Sequence, residues 1–159
     1  MTIDRSEYFR NRYITIIKPD EIEMEERRKR ARECKARKSL VVSLPYPQSS
    51  NAIWGKSRGG MYMKPKASAF LQEAIVKLKL EKNLKWWETF TGKLVVEYSV
   101  RHPDNREHDC DNLFKQIGDA IEKSGIVMND RWLLPRCIDF CVDKENPGVE
   151  VKIYVFTGN

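Results

Sequence analysis

The sequence predicts a mixed α/β fold, in which a β-sheet is flanked by helices. Short segments of alternating or continuous apolar residues have the pattern of strands. Two longer segments place apolar residues at three- and four-residue steps, as amphipathic helices do. Because the two kinds of segment interleave along the chain, in the order β-α-β, then a strand or loop, then α-β-β, a layered α/β structure is expected.

Length and composition agree with a globular protein. The chain has 159 residues, of which 41% are hydrophobic and 33% are charged, values that argue against a disordered chain. No apolar run approaches the roughly 18 residues of a membrane span. The charged start of the chain lacks the apolar stretch of a signal peptide. We therefore expect a cytoplasmic protein.

The first forty residues differ in composition from the rest. Most of residues 19–38 are charged, and nearly all of the acids come before the bases, an order that complements a helix dipole. The segment has no apolar stripe, so we expect a solvent-facing helix or a partly ordered arm. A DNA-contacting arm and a solvated helix without a binding role both remain open. The predicted boundary separates a charged extension, 1–39, from a folded domain, 40–159.

The domain opens with a predicted strand, 40–44, which ends at a Pro-rich turn. The loop 48–64 mixes basic, aromatic and glycine residues, which suits contact with a nucleic-acid backbone; an ordinary mobile loop is the alternative. Apolar residues at helical spacing predict a helix from Lys66 onwards. Three aromatic residues near its end are expected to cap the core: Trp86, Trp87 and Phe90.

The second half of the domain contains the remaining elements. Residues 93–101 alternate cleanly between apolar and polar and predict a half-buried strand. Residues 111–124 predict a helix that Gly125 ends. Two further strands are expected near 136–143 and 149–156, on either side of a turn.

The four cysteines are Cys34, Cys110, Cys137 and Cys141. Their spacing lacks the partner pairs or nearby histidines of a zinc site. Because cytosolic thiols are normally reduced, we expect free thiols that are buried or half-buried.

Acidic residues cluster after the strand 93–101. Asp109 and Asp111 are two residues apart, so in an extended chain their carboxylates would project to the same side. Asn129 and Asp130 arrive from the next loop and could bring a further carboxylate. In the predicted helix, four charged residues share a sector of roughly 80° opposite the apolar side: Asp111, Lys115, Asp119 and Glu122.

Such a cluster suits a metal-dependent phosphodiesterase. Mg²⁺ binds through a few carboxylates together with substrate phosphate, and it can activate water and polarise a phosphoryl oxygen. Lys115 can neutralise charge that develops on the phosphate. Acids on a helix face are usually only solvated, and the residues alone leave both interpretations open. His102 and His108 could join the metal site; the alternative, which we expect, is that they are loop residues, with His108 tuning the charge of Asp109.

A series of motifs in this region resembles the signature of RusA-type Holliday junction resolvases. It consists of Asp109-Cys110-Asp111-Asn112-Leu113-Phe114-Lys115, then Asp119-Ala120, then Gly125-Ile126-Val127, then Asn129-Asp130. Residues 42–66, with their Pro-rich turn and basic, aromatic loop, are also similar to the family. The resemblance covers about residues 40–156.

The resemblance implies a small homodimeric endonuclease, often encoded by phages and prophages, in a bacterial or infected cell. It would bind four-way DNA junctions and use Mg²⁺, with Mn²⁺ as a substitute, to place paired nicks in strands of like polarity. The metal-binding catalytic aspartates would be Asp109, Asp111 and Asp130. Lys115 would assist catalysis, and Asp119 would be a further metal-ligand candidate with a structural or catalytic role.

Net charge favours a polyanionic partner. Lys and Arg number 29 against 23 Asp and Glu, which gives +6. No amphipathic helix pairs a basic face with an apolar one, so membrane attachment is not expected. Candidate phosphate contacts are Lys56, Arg58, Lys64, Lys66, Arg101 and Arg131.

Two other functions stay open at this point. A metal nuclease that acts on other branched or duplex DNA would carry the same motif residues and would differ only in substrate preference. A non-catalytic junction-binding protein would bind no metal, and Asp111→Asn would leave its function intact.

Overall fold

A computed structural model describes residues 24–26 and 39–158. The first of these ranges is helical and belongs to a unit spanning Met1–Cys34, whereas the second belongs to a unit spanning Lys35–Asn159. Most of the charged segment 19–38, Cys34 among it, lies outside the described residues. The extension 1–39 and its role in binding therefore stay predictions.

Residues 39–158 contain six strands, two α-helices and two short 3₁₀ turns. In chain order these are β1 (Ser39–Leu44), a turn (Ser50–Ala52), β2 (Trp54–Ser57), β3 (Gly60–Met63), α1 (Pro65–Leu84), β4 (Leu94–His102), α2 (Asp111–Lys123), a turn (Asp130–Trp132), β5 (Leu133–Val142) and β6 (Gly148–Val155).

Four strands form one mixed sheet in the order β1-β6-β4-β5. β6 pairs antiparallel with both β1 and β4, whereas β4 and β5 run parallel. The last two strands are therefore not a hairpin, because β4 lies between them. β2 and β3 form a separate antiparallel hairpin.

One face of the sheet and the two helices enclose the hydrophobic core. Alternate residues of β1, β4 and β6 point into it, among them Leu40, Val96 and Val151, which are fully buried. The helices bury the apolar stripes that the sequence predicts: Ala67, Phe70, Leu71, Ala74 and Leu78 of α1, and Leu113, Ile117, Ala120 and Ile121 of α2. The charged side of α2 therefore faces away from the core.

Several local expectations were wrong. The loop 48–64 contains the turn Ser50–Ala52 and the β2–β3 hairpin. Trp86 does not cap the core, since it is 86% exposed. Trp87 does, and its Nε1 donates a hydrogen bond to the Ile126 carbonyl at 3.2 Å, while Phe90 packs against the core. β5 begins at Leu133, three residues earlier than the predicted 136.

The thiols also differ from the expectation. Cys110 is half-buried, as expected, but Cys137 and Cys141 are exposed. The reason is the position of β5 at the edge of the sheet. All but the first two residues of this strand are exposed.

The segment after α2 determines where Asp130 lies. Gly125 has φ +75°, a backbone conformation that glycine adopts most readily, and it ends the helix as predicted. Its carbonyl accepts a hydrogen bond from Lys82 Nζ at 2.7 Å. The Phe90 carbonyl accepts another from the Met128 amide at 2.9 Å. These contacts with Lys82 of α1 and with Phe90, in the segment after α1, hold the chain just before Asp130.

No helix among the described residues is long and apolar enough to span a membrane.

Candidate active site

A local turn at the start of α2 brings Asp109 and Asp111 together. Asp109 Oδ1 accepts a hydrogen bond from the Asp111 amide at 3.1 Å, and Asp109 Oδ2 accepts one from Asn112 Nδ2 at 2.8 Å. The first bond satisfies an amide at the helix start. Cys110 has helical dihedral angles (−62°, −31°), so the expected extended geometry was wrong. Both aspartates are nevertheless exposed at one helix end.

Lys115 connects α2 to the turn that carries Asp130. Its Nζ lies 2.7 Å from Asp119 Oδ1 and 3.7 Å from Asp130 Oδ2. Asp119 is one helical turn further along. Asp130 begins a 3₁₀ turn in which the Asn129 side chain accepts a hydrogen bond from the Arg131 amide. The structure therefore places the Asp130 carboxylate beside the charged side of α2.

The ammonium of Lys115 stays protonated at neutral pH. Its hydrogen bond to Asp119 raises the pKa of Lys115, and the charge of Asp130 adds to the effect. A general base needs a pKa near the working pH. Lys115 therefore suits the neutralisation of charge on a phosphate and not proton abstraction.

The carboxylates fit a divalent cation that is shared with substrate. Within 24–26 and 39–158, no group of three His, Cys, Asp or Glu side chains lies close enough together to hold a metal ion. Mg²⁺, however, needs only one or two carboxylates when substrate phosphate and water supply the remaining oxygens. Asp109 and Asp111 at the start of α2, and Asp130 beside Lys115, offer the oxygen donors that this ion prefers.

The rings of Tyr46, His102 and His108 pack together between the end of β4 and the start of α2. His102 ends β4, is 3% exposed, and stacks on His108 with 4.4 Å between ring centroids. His102 Nδ1 is hydrogen-bonded to the Tyr46 hydroxyl at 2.9 Å, and His108 Nε2 to Asp104 Oδ1 at 2.8 Å. His102 is thus a buried strand residue and not a loop residue. His108 pairs with Asp104 and not, as expected, with Asp109.

Burial and hydrogen bonds shift the pKa values of three side chains in this region: His102, Asp104 and Cys110. Burial lowers the pKa of His102, with the neighbouring His108 adding, so that His102 is neutral at pH 7. Hydrogen bonds from Arg106, and then from His108, hold the pKa of Asp104 well below its usual range. Burial raises the pKa of the Cys110 thiol to about 12, so the free thiol is protonated at neutral pH.

Asn112 links the acidic residues to the segment that precedes the β2–β3 hairpin. Its Oδ1 accepts a hydrogen bond from Ser50 Oγ at 3.1 Å, while its Nδ2 donates to Asp109. The Gln48 amide donates to Gln116 Oε1 of the same helix at 2.7 Å. Sequence reasoning placed Asn112 in the family motif but assigned it no role.

The candidate phosphate contacts fall into two groups. Four lie in the hairpin or at the start of α1, and all are exposed: Lys56, Arg58, Lys64 and Lys66. The other two have protein contacts of their own. Arg101 Nε donates to the Asn146 carbonyl at 3.0 Å, and the Arg131 guanidinium lies 4.8 Å from the ring centroid of Trp132.

Comparison with known proteins identifies the family. The model of the family described as endodeoxyribonuclease RusA matches residues 45–154, more than half of the chain. The chain belongs to the RusA family. The matched range contains the β2–β3 hairpin and four residues of the acidic site: Asp109, Asp111, Lys115 and Asp130. The match confirms the resemblance, the mixed α/β fold class and an endonuclease activity.

Individual RusA proteins are similar over much of their length. The crossover junction endodeoxyribonuclease RusA of Aquifex aeolicus (strain VF5) is 28% identical over 121 residues, which cover 73% of this chain and 89% of that protein. The corresponding proteins of Enterobacteria phage HK97 and Escherichia coli (strain K12) are 29% and 26% identical. Their matches cover 55% and 56% of this chain, and 70% and 72% of those proteins.

Proposed function

We propose that this RusA-family enzyme resolves four-way DNA junctions by paired, Mg²⁺-dependent nicks. The observation that carries the proposal is that Asp109 and Asp111 lie at the start of α2, while Asp130 lies 3.7 Å from Nζ of Lys115, one turn further along the same helix. Relatives named as crossover junction endodeoxyribonucleases support the choice of substrate.

Each charged side chain has a separate task in this proposal. Asp109, Asp111 and Asp130 are the candidates from which one or two carboxylates would bind Mg²⁺ together with the scissile phosphate. Asn112 keeps the Asp109 carboxylate oriented. When bound, the ion would lower the pKa of a water molecule and polarise the phosphoryl oxygen. Lys115 neutralises charge on the phosphate oxygens. Asp119 holds the Lys115 ammonium in place through its 2.7 Å contact, and it is a further metal-ligand candidate.

The balance of charge disfavours a purely binding role. Exposed carboxylates beside a phosphate repel it unless a cation offsets their charge. The basic residues around the acidic site attract DNA, and each phosphate contact releases counterions, so binding should weaken steeply with salt. A non-catalytic DNA-binding protein would gain nothing from carboxylates at this position.

Mg²⁺-dependent cutting of a synthetic four-way junction tests the proposal. We expect the purified protein to cut the junction with Mg²⁺, to bind it without cutting in EDTA, and to leave a linear duplex of the same sequence intact. Equal cutting of the duplex would instead support a metal nuclease of broader specificity. Binding without cutting in either Mg²⁺ or Mn²⁺ would contradict the proposal.

We further propose that the enzyme acts as a homodimer that pairs through β5. A four-way junction has approximate two-fold symmetry, and an isologous dimer supplies two equivalent active sites. Exposed apolar edge strands are normally covered, and β5 exposes Ile138, Phe140 and Val142.

β5 also lies next to the proposed catalytic carboxylates. A groove of about 450 Å³ is lined by Asp109 and Asp111 on one side and by Ile138 and Phe140 on the other. A partner seated on β5 would therefore fix the position of each active site relative to the dimer axis.

Phe140→Glu should convert the dimer into a monomer. Each copy would lose about 2 kcal/mol of apolar burial. Because a two-fold symmetric interface contains the substitution twice, the total loss is about 4 kcal/mol, so the dissociation constant of the dimer should rise roughly 10³-fold. Light scattering coupled to size exclusion measures the mass. Val76→Glu, at a 66% exposed position of α1, is the matched control and should leave the mass unchanged. A dimer that persists in Phe140→Glu would place the interface elsewhere.

A further inference from the structure

The β2–β3 hairpin exposes a large share of apolar surface for its size. Trp54 is 49% exposed, Met61 65% and Tyr62 48%. The hairpin is separate from the main sheet. Apolar surface that is exposed and surrounded by polar residues is typical of an interaction site.

The register of the hairpin sorts these side chains between its two faces. Trp54 pairs with Met63, and Lys56 pairs with Met61, so these four residues share one face. Tyr62 lies on the other face, where its ring covers Gly55 so closely that an added Cβ would come within 2.6 Å of the ring. Trp54, Lys56 and Met61 therefore form one exposed face of mixed apolar and basic character.

The root of the hairpin is fixed against the catalytic helix. Ile53, directly before β2, is 2% exposed, and its carbonyl accepts a hydrogen bond from the Lys64 amide at 2.8 Å. Ser50, three residues earlier, bonds to Asn112 of α2, which in turn bonds to Asp109. A ligand on the hairpin is thus held in a defined relation to the proposed catalytic carboxylates.

The charge of this region identifies the class of ligand. Residues 48–72 contain four basic residues and no acidic residue. A partner that combines negative charge with flat apolar faces is a nucleic acid whose bases are accessible. Base-on-aromatic stacking contributes about 1–3 kcal/mol per base. Bases in an intact duplex are stacked on each other, whereas a branch point offers faces that are free to stack.

We propose that the Trp54 face of the hairpin contacts unstacked bases at the branch point. Trp54 stacks on a base, Met61 packs beside it, and Lys56 contacts the adjacent phosphate. Trp54 is then a specificity residue, because it favours branched over linear DNA while the acidic site cuts the backbone. This inference rests on the proposed function and names the residue that would select the substrate of that site.

Fluorescence of 2-aminopurine at the branch point tests the inference. The base analogue is placed next to the crossover of a four-way junction, and the protein is added in EDTA so that no strand is cut. We expect binding of the wild-type protein to change the fluorescence, and Trp54→Ala to remove this change. We also expect Trp54→Ala to lower junction affinity about tenfold or more, with duplex affinity altered less than about twofold.

Three variants serve as controls. Trp54→Phe keeps an aromatic ring and should retain most of the fluorescence change. Trp86→Ala removes a different exposed tryptophan and should behave as the wild type. Lys56→Ala should weaken junction and duplex binding alike, because a phosphate contact carries no information on branching.

The outcomes separate this inference from the proposed function. Suppose that the wild type cuts junctions, and that Trp54→Ala gives the same fluorescence change and the same ratio of junction affinity to duplex affinity. The proposed role of the hairpin is then contradicted, while the proposed nuclease activity is supported. The same holds if Trp54→Ala weakens junction and duplex binding equally. If the wild type neither binds nor cuts the junction, both proposals fall.

Discussion

Asp111→Asn should abolish cleavage of the four-way junction and leave junction binding intact. Asparagine keeps the shape of the side chain but removes the negative charge at the start of α2. Loss of about 4 kcal/mol of transition-state stabilisation corresponds to a rate reduction of about 10³-fold. Removal of a carboxylate also reduces repulsion of the phosphate, so the affinity for DNA should be equal or slightly higher. Single-turnover cleavage and electrophoretic mobility shift in EDTA measure the two quantities.

Glu73→Gln is the matched control for this charge change. Glu73 is an exposed carboxylate of α1 that pairs with Lys77 at 2.8 Å, away from the acidic site. We expect wild-type cleavage from this variant. Cleavage by Asp111→Asn at more than about a tenth of the wild-type rate would remove Asp111 from the proposed metal site.

Lys115→Met should reduce the cleavage rate by about 10²-fold, the effect of deleting one charged donor from a transition-state site. Methionine keeps the length of the side chain and removes the ammonium that lies between Asp119 and Asp130. Because the pKa of Lys115 is raised, the ammonium is fully charged at neutral pH. The defect should therefore stay constant from about pH 6 to pH 9.

Lys77→Met supplies the comparison for Lys115. Lys77 is also a helical lysine with a carboxylate partner one turn away, but it lies on α1. We expect the wild-type rate from Lys77→Met and partial activity from Lys115→Arg, which keeps the charge. A defect in Lys115→Met that grows as the pH rises would instead indicate that Lys115 acts as a base.

The periodic elements were predictable from sequence, and the hairpin was not. α1 and α2 have apolar residues at helical spacing that pack on one face of the sheet, so local pattern and tertiary burial agree. β2 and β3 are four residues each and mostly exposed, so no buried face imposes an alternating pattern. Trp86 was misplaced because hydrophobicity alone does not distinguish it from the buried Trp87.

The acidic site was predictable to the extent that it is local. Asp109, Asp111, Lys115 and Asp119 lie within eleven residues, and helical spacing relates three of them. The position of Asp130 required the contacts that hold the chain after α2. The pairing of Tyr46 with His102 joins residues 56 positions apart, and that of Ser50 with Asn112 joins residues 62 apart. Neither pair leaves a periodic pattern in the sequence.

In the proposed mechanism, two acidic sites of one dimer cut a single four-way junction. The most direct test labels each of the four junction strands in turn and maps the cuts made by the wild type with Mg²⁺. We predict cuts at symmetric positions in two strands of like polarity, none in the other two strands, and none in EDTA. Cuts in all four strands, in one strand only, or in the absence of a divalent metal would contradict paired, metal-dependent resolution by a dimer.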